Sequence, residues 1–289
     1  MSVRRGIGTL LALLLLGCML PAHALQVRDD LGREQAFDRP PQRIVSVLPS
    51  LTEMVCELGA CERLVGVDRY SNHPERVRRL PKVGGGLDPN VESVAALRPD
   101  VVLLGSSSPM AGRLEALGIR VVALEPKTHA DMRRVFGVLG TLLGVTGAEA
   151  AWQRIDAGMA EVARSLPRGA RPLRVYFEVN SAPYAASESS FIGETLTRLG
   201  LANIVPAALG PFPKINPEFV VRADPDLILV GDATFAGMAQ RPGWRAMRAL
   251  REGRLCVFTP QESDTIVRPG PRMVEAARLV ARCVREHAR

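Results

Sequence analysis

Residues 90–105, NVESVAALRPDVVLLG, and residues 216–231, NPEFVVRADPDLILVG, align without a gap and agree at seven of sixteen positions. Each copy opens on Asn, places Glu two residues later, breaks at Pro-Asp and runs into an apolar stretch ending in Gly. Asn at such a start caps a helix, and Glu in the first turn complements the helix dipole. Pro-Asp halts that helix. Four consecutive apolar residues without alternation then read as a parallel strand covered on both faces. The chain thus carries one helix–turn–strand unit twice.

The same alternation extends outward from both copies. Around the first, Ile44 to Leu48, Leu64 to Val67 and Val121 to Leu124 read as strands, and Leu114 to Leu117 as part of a helix stopped at Gly118. Ser50-Leu51-Thr52-Glu53 reads as a capping box that starts a helix running to Leu58-Gly59. Residues 26–38 read as a hairpin turning near Asp30-Leu31-Gly32. Around the second copy, Leu173 to Val179 and Leu255 to Phe258 read as strands, Glu194 to Leu199 as a helix, and a last helix starts at Pro271. Residues 130–166 interrupt the pattern with two helical stretches that meet near Gly144-Val145-Thr146-Gly147, the second running from Ala148 to Leu166. The expected fold is α/β: two Rossmann-like lobes, 25–145 and 169–289, joined by one long helix within 146–168, with a ligand cleft between them.

Composition narrows the function. The 289 residues are 47% hydrophobic and 23% charged, with a formal net charge of +7. The basic residues are scattered and only 4% of residues are aromatic, which argues against a nucleic-acid groove. Beyond the N-terminal apolar run no stretch is long enough to span a membrane. That run is itself an address: Met1 to Arg5 is basic, Ile7 to Leu16 apolar, and Ala22-His23-Ala24 a cleavage site, so residues 1–24 read as a secretory signal peptide. Leu15-Leu16-Gly17-Cys18 also fits a lipoprotein signal, with Cys18 lipidated. Either product works outside the cytoplasm. There, Cys56, Cys61, Cys256 and Cys283 favour disulfides in one of three pairings. The local pairing Cys56–Cys61 with Cys256–Cys283 is preferred, because each pair brackets one turn or one strand–helix connection.

No catalytic constellation emerges. Ser50 sits in no G-x-S-x-G elbow, and Gly84-Gly85-Gly86 lacks the G-K-[ST] of a phosphate loop. His73, His129 and His287 form no metal-binding set with neighbouring carboxylates. A secreted hydrolase is the contrasting class, which turnover by the purified protein would favour.

The run Pro41 to Glu53, PQRIVSVLPSLTE, then Leu64-Val65-Gly66-Val67, Tyr70-Ser71, Leu80-Pro81, Val83-Gly84 and the Glu92 to Leu104 unit follow one another in an order that resembles the class III periplasmic binding proteins of ABC importers, on the cobalamin, ferric-siderophore and haem side of that group. The resemblance covers essentially the whole chain after the leader. It implies a periplasmic monomer without a cofactor, which captures a bulky metal chelate, cobalamin or a related corrinoid first and haem or a ferric siderophore second. It implies that Ala148 to Leu166 is the stiff connector, and that Glu92 and Glu218, the acidic residues of the repeat, dock on arginines of the permease. A helix-dipole or capping role is the plainer reading of the same pair.

Cleft candidates follow from the loops after strand ends. They are Pro49 and Ser50, Tyr70, His73 and Gly86 from the first lobe, and Glu178, Tyr184, Phe212, Asp264 and Arg268 from the second. Tyr70, Tyr184 and Phe212 match the aromatics that pack on the corrin in cobalamin binders, whereas Gly86 and Glu178 stand where such binders have aromatics. His73 could ligate a chelated metal. Arg268 and Arg272 could meet an anionic ligand through bidentate guanidinium geometry.

Overall fold

A computed structural model describes residues 24–85, 88, 90–167, 171–181, 183–231, 235 and 237–287. Residues 1–23 of the leader, Cys18 among them, and Gly86 lie outside the described residues.

The chain begins with the expected hairpin, β1 (Leu25–Arg28) paired antiparallel with β2 (Glu34–Phe37). Asp29 closes the turn by accepting the backbone N–H groups of Leu31 and Arg33, each at 3.0 Å, and the Arg33 guanidinium. Strands β3 (Ile44–Ser46), β4 (Leu64–Val67), β5 (Val101–Leu104) and β6 (Val121–Ala123) form one parallel sheet in the order β4-β3-β5-β6. Its crossovers contain α1 (Pro49–Glu57), α2 (Val91–Ala96) and α3 (Ala111–Ala116). Two longer helices follow, α4 (His129–Leu143) and α5 (Ala148–Arg164). Thr128 and Asp131 cap α4 reciprocally, and Gly144, left-handed at φ 65°, ends it.

The second sheet comprises β7 (Arg174–Asn180), β8 (Tyr184–Ala185), β9 (Ala202–Asn203), β10 (Leu227–Gly231) and β11 (Leu255–Phe258). It is parallel in the order β11-β10-β7; β9 pairs parallel with the start of β7 and β8 antiparallel with its end. Helices α6 (Phe191–Arg198), α7 (Pro217–Ala223), α8 (Arg248–Arg251), α9 (Pro260–Ile266) and α10 (Met273–His287) accompany it.

The sequence repeat is a structural repeat. Asn90 caps α2 by accepting the Ser93 N–H at 2.8 Å, and Asn216 caps α7 through the Glu218 N–H at 2.9 Å. Both units turn on a non-glycine residue at positive φ, Arg98 at 45° and Asp224 at 41°, which occupy equivalent positions. The aspartate of each Pro-Asp pair then clamps the start of the neighbouring strand. Asp100 accepts the Gln42 and Arg43 N–H groups at 2.7 and 2.9 Å, and Asp226 accepts the Arg174 N–H at 2.9 Å.

One expectation fails. Ser50 and Glu53 form no capping box: α1 starts after Leu48 with Pro49 in its first turn and no side-chain cap. Proline is preorganised for that position, so the helix begins two residues earlier and Ser50 falls inside it. A capping box is instead found at Thr259 and Glu262, at the start of α9, a helix the sequence reading passed over. The disulfides pair as preferred: Cys56–Cys61 ties the end of α1 to the turn before β4, and Cys256–Cys283 ties β11 to α10.

The outer face of each sheet has its own apolar cluster, one around Val45, Val102 and Leu114 and one around Tyr176, Ile228 and Trp244. A third cluster is shared. It runs from Ile44, Leu103 and Phe136 through Trp152, Ile155 and Met159 of α5 to Phe177, Leu229 and Val280. Helix α5 packs on α4 to one side and α10 to the other. Its Gly158 lies against Val274 of α10, where an added Cβ would come within 2.9 Å of a methyl group, so the close approach requires glycine. Among the described residues no helix is long and apolar enough to cross a membrane.

Candidate functional site

In the first sheet the strand order reverses at β3: the chain passes from β3 to β4 on one side and returns to β5 on the other. Ligands of open α/β sheets sit at such a reversal, outside the carboxyl ends of the strands. Here that places the Leu48-Pro49-Ser50 turn beside Gly105 to Ser108, the loop after β5. Glu125, just past β6, receives the Ser106 hydroxyl and the Ser107 N–H and hydroxyl, the latter two at 3.0 and 3.1 Å. Burial alone would raise the Glu125 carboxyl, but these donors and Lys127 hold it below its ordinary range. This fixed carboxylate with its serines was missed in the sequence; its position directly after the Val121 to Leu124 run was the available signal.

The loop after β4 carries Tyr70, whose side chain is 58% exposed. Gly85 lies under it, and a Cβ there would approach the ring to 3.3 Å. Across the molecule Tyr184 on β8 is also exposed, at 42%. Phe212 is half-buried and packs edge-to-face on Phe191, with ring centroids 5.9 Å apart. Pro49 is half-buried, and Ser50 is buried with no partner for its hydroxyl among the described residues.

Other candidates are engaged within the protein. Glu178 is buried, and Arg241 grips its carboxylate at 2.7 and 2.8 Å while the Tyr176 hydroxyl donates at 3.0 Å. Arg241 in turn stacks over Trp244 at 4.5 Å. Burial and the neighbouring Glu178 push the Tyr176 hydroxyl far above its ordinary range. Arg268, also buried, donates to Glu53, Asn72 and the Tyr70 carbonyl and pairs with Asp264 at 2.8 Å. Arg272 donates to Glu53 at 2.9 and 2.7 Å and to Thr265. The two arginines therefore converge on one buried carboxylate of α1 rather than on open solvent.

His73 borders a hollow of about 220 Å³ between the lobes, lined also by Asn72, Arg78, Glu262, Asp264 and Arg272. That is below the roughly 300–1,000 Å³ of ordinary small-molecule pockets. Burial, then the charge of Arg272, lowers the His73 pKa. On the opposite side of the seam the Phe191 N–H donates to the Lys127 carbonyl at 2.8 Å, and Glu194 accepts the His129 N–H at 2.6 Å. Glu92 and Glu218 are both exposed in the first turns of α2 and α7, where Glu218 pairs with Arg222, four residues on, at 3.8 Å.

Residues 44–262 match the periplasmic binding protein family. The chain belongs to it. An uncharacterized ABC transporter substrate-binding lipoprotein of Bacillus subtilis is 26% identical over 98% of this chain and 98% of its own length. A vitamin B12-binding protein of Pectobacterium carotovorum is 27% identical over 83% of this chain and 87% of its own. The crystal structure of a periplasmic heme-binding protein from Pseudomonas aeruginosa superposes with a TM-score of 0.70 at 30% identity, covering 86% of this chain and 93% of that one. The relatives are substrate-binding proteins of transporters, periplasmic or lipid-anchored, and the two-lobed α/β architecture is theirs as well.

Proposed function

We propose that this protein is exported through the leader 1–24 and captures cobalamin or a related corrinoid between the lobes 25–145 and 169–289, which the helix in 146–168 joins. The observation that carries this reading is the pair of exposed tyrosines, Tyr70 on the loop after β4 and Tyr184 on β8, one on each lobe beyond the ends of the parallel strands. Aromatic faces exposed on both sides of a cleft suit a large flat macrocycle. The likeness to vitamin B12-binding proteins supports the same class of cargo. The anionic Glu125 beside Ser106 and Ser107 adds acceptors on the first lobe, which favour a ligand that presents amide donors over one edged with carboxylates.

Delivery runs through Glu92 and Glu218. Both carboxylates are exposed, neither makes a close ion pair among the described residues, and both could meet permease arginines bidentately. Glu92→Ala combined with Glu218→Ala should abolish transport and leave ligand affinity intact; a loss of affinity would place these residues in the binding site instead. Isothermal titration with cyanocobalamin tests the cargo. One-to-one binding at submicromolar affinity is the expected result, and absence of heat at high concentration would overturn the corrinoid reading. Haem is the second reading, favoured by the 30% identity to the heme-binding relative, and haemin is the next titrant.

A further inference from the structure

We propose that Arg268 is a positioning residue: from the second lobe it fixes the backbone of the loop that carries Tyr70 in the first, so that the placement of this ring depends on contact between the lobes. The loop, residues 68–73, has two sets of anchors. Its own lobe holds the Tyr70 N–H through Asp68 at 2.7 Å, and Ser71 through the Thr52 hydroxyl at 2.9 Å and the Lys82 ammonium at 2.8 Å. Arg78 of the same lobe donates to the Asn72 carbonyl at 2.9 Å. The other lobe holds the Tyr70 carbonyl and the Asn72 side chain. Arg268 Nη2 donates to the Tyr70 carbonyl at 3.0 Å and Nη1 to Asn72 Oδ1 at 2.7 Å, while Asn72 Nδ2 donates to Asp264 at 2.9 Å.

The guanidinium is itself immobilised. It is buried, and Glu53 and Asp264 accept from its two ends. A planar fork with several donors spans two acceptors on one loop, which a single ammonium point charge cannot do. The peptide that follows Tyr70 is therefore oriented by a residue 198 positions away on the opposite lobe. Any change in the contact between lobes is transmitted to Tyr70, and a ligand that displaces Tyr70 is felt at the seam.

The functional meaning rests on the reading of Tyr70 as a cargo contact, but the test needs no ligand and so fails separately from cobalamin titration. The chain has three tyrosines, Tyr70, Tyr176 and Tyr184. The full protein labelled with 3-fluorotyrosine gives three ¹⁹F resonances, and Tyr70→Phe assigns the one of interest. Arg268→Ala and Arg268→Lys are expected to move or broaden the Tyr70 line by more than its width, with the Tyr176 and Tyr184 lines unchanged. Should the Arg268 variants not fold, Asn72→Ala, which removes the loop's own acceptor, is expected to give the same selective change. A Tyr70 line that stays in place, wild-type behaviour restored by lysine, or movement of all three lines together would overturn the proposal.

Discussion

Glu53 of α1 and Arg272 at the head of α10 face each other in a two-pronged ion pair, Nε to Oε2 at 2.9 Å and Nη2 to Oε1 at 2.7 Å, across the seam between the two sheets. Arg268 approaches the same carboxylate at 3.3 Å. The carboxylate and both guanidinium groups are largely withdrawn from water. Removing one member of such a cluster leaves the others charged, buried and uncompensated. Glu53→Ala should therefore destabilise the protein by about 3–5 kcal/mol. For a chain of this size that lowers the melting temperature by roughly 5–10 °C, as calorimetry would record. Glu53→Gln, which keeps acceptor and shape, should lose less. A Glu53→Ala protein that melts with the wild type would show that the pair contributes little.

Acid should weaken the other seam. His129 has its pKa lowered chiefly by burial, with Arg198 acting in the same direction and Glu194, the Phe191 carbonyl and Asp156 opposing. His73 is lowered as well. A histidine whose folded pKa lies below its unfolded value near 6.5 contributes stability that is complete above pH 6.5 and is lost as the pH falls. The melting temperature should therefore decline between about pH 6.5 and pH 5, before the carboxylates titrate. His129→Asn should flatten that decline. An unchanged slope in the variant would assign the effect elsewhere.

The two disulfides should differ in weight. In the chain-entropy account the longer loop constrains the unfolded state more: about 3.5 kcal/mol for Cys256–Cys283, with a separation of 27, and about 2 kcal/mol for Cys56–Cys61, with a separation of 5. Denaturant titrations of Cys256→Ser with Cys283→Ser and of Cys56→Ser with Cys61→Ser test the order. A larger loss from the short loop would contradict it.

The architecture was readable where local chemistry and tertiary role agree. The Asn-x-Glu and Pro-Asp repeat announced itself because each Asn is a cap and each Asp a clamp on a neighbouring strand. Glu53 was misread because its residue type suits a helix start, and only the fold brings two arginines from more than 200 positions away to meet it. Arg268 and Glu178 entered the cleft candidates through their positions after strands, yet the structure engages both internally. Their partners, Asn72 and Arg241, lie 196 and 63 residues distant, and no spacing rule reveals them. Glu125 was overlooked because its significance lies in the serine loop of another strand. Tyr70 and Tyr184, the aromatics on which the proposed cargo site rests, could be named from the sequence because they follow strand ends, where the topology of α/β sheets concentrates function.

The apolar cluster that threads from Ile44 through Trp152 to Val280 has a consequence for how the molecule comes apart. A chain severed near Gly147 would leave both fragments with a bare flank, since neither sheet owns the whole of the material that covers it. The halves should therefore melt as one cooperative unit and fail to fold when expressed singly. For a carrier, a core shared in this way resists separation of the two sheets, so that adjustment to a ligand falls to the loops at the rim.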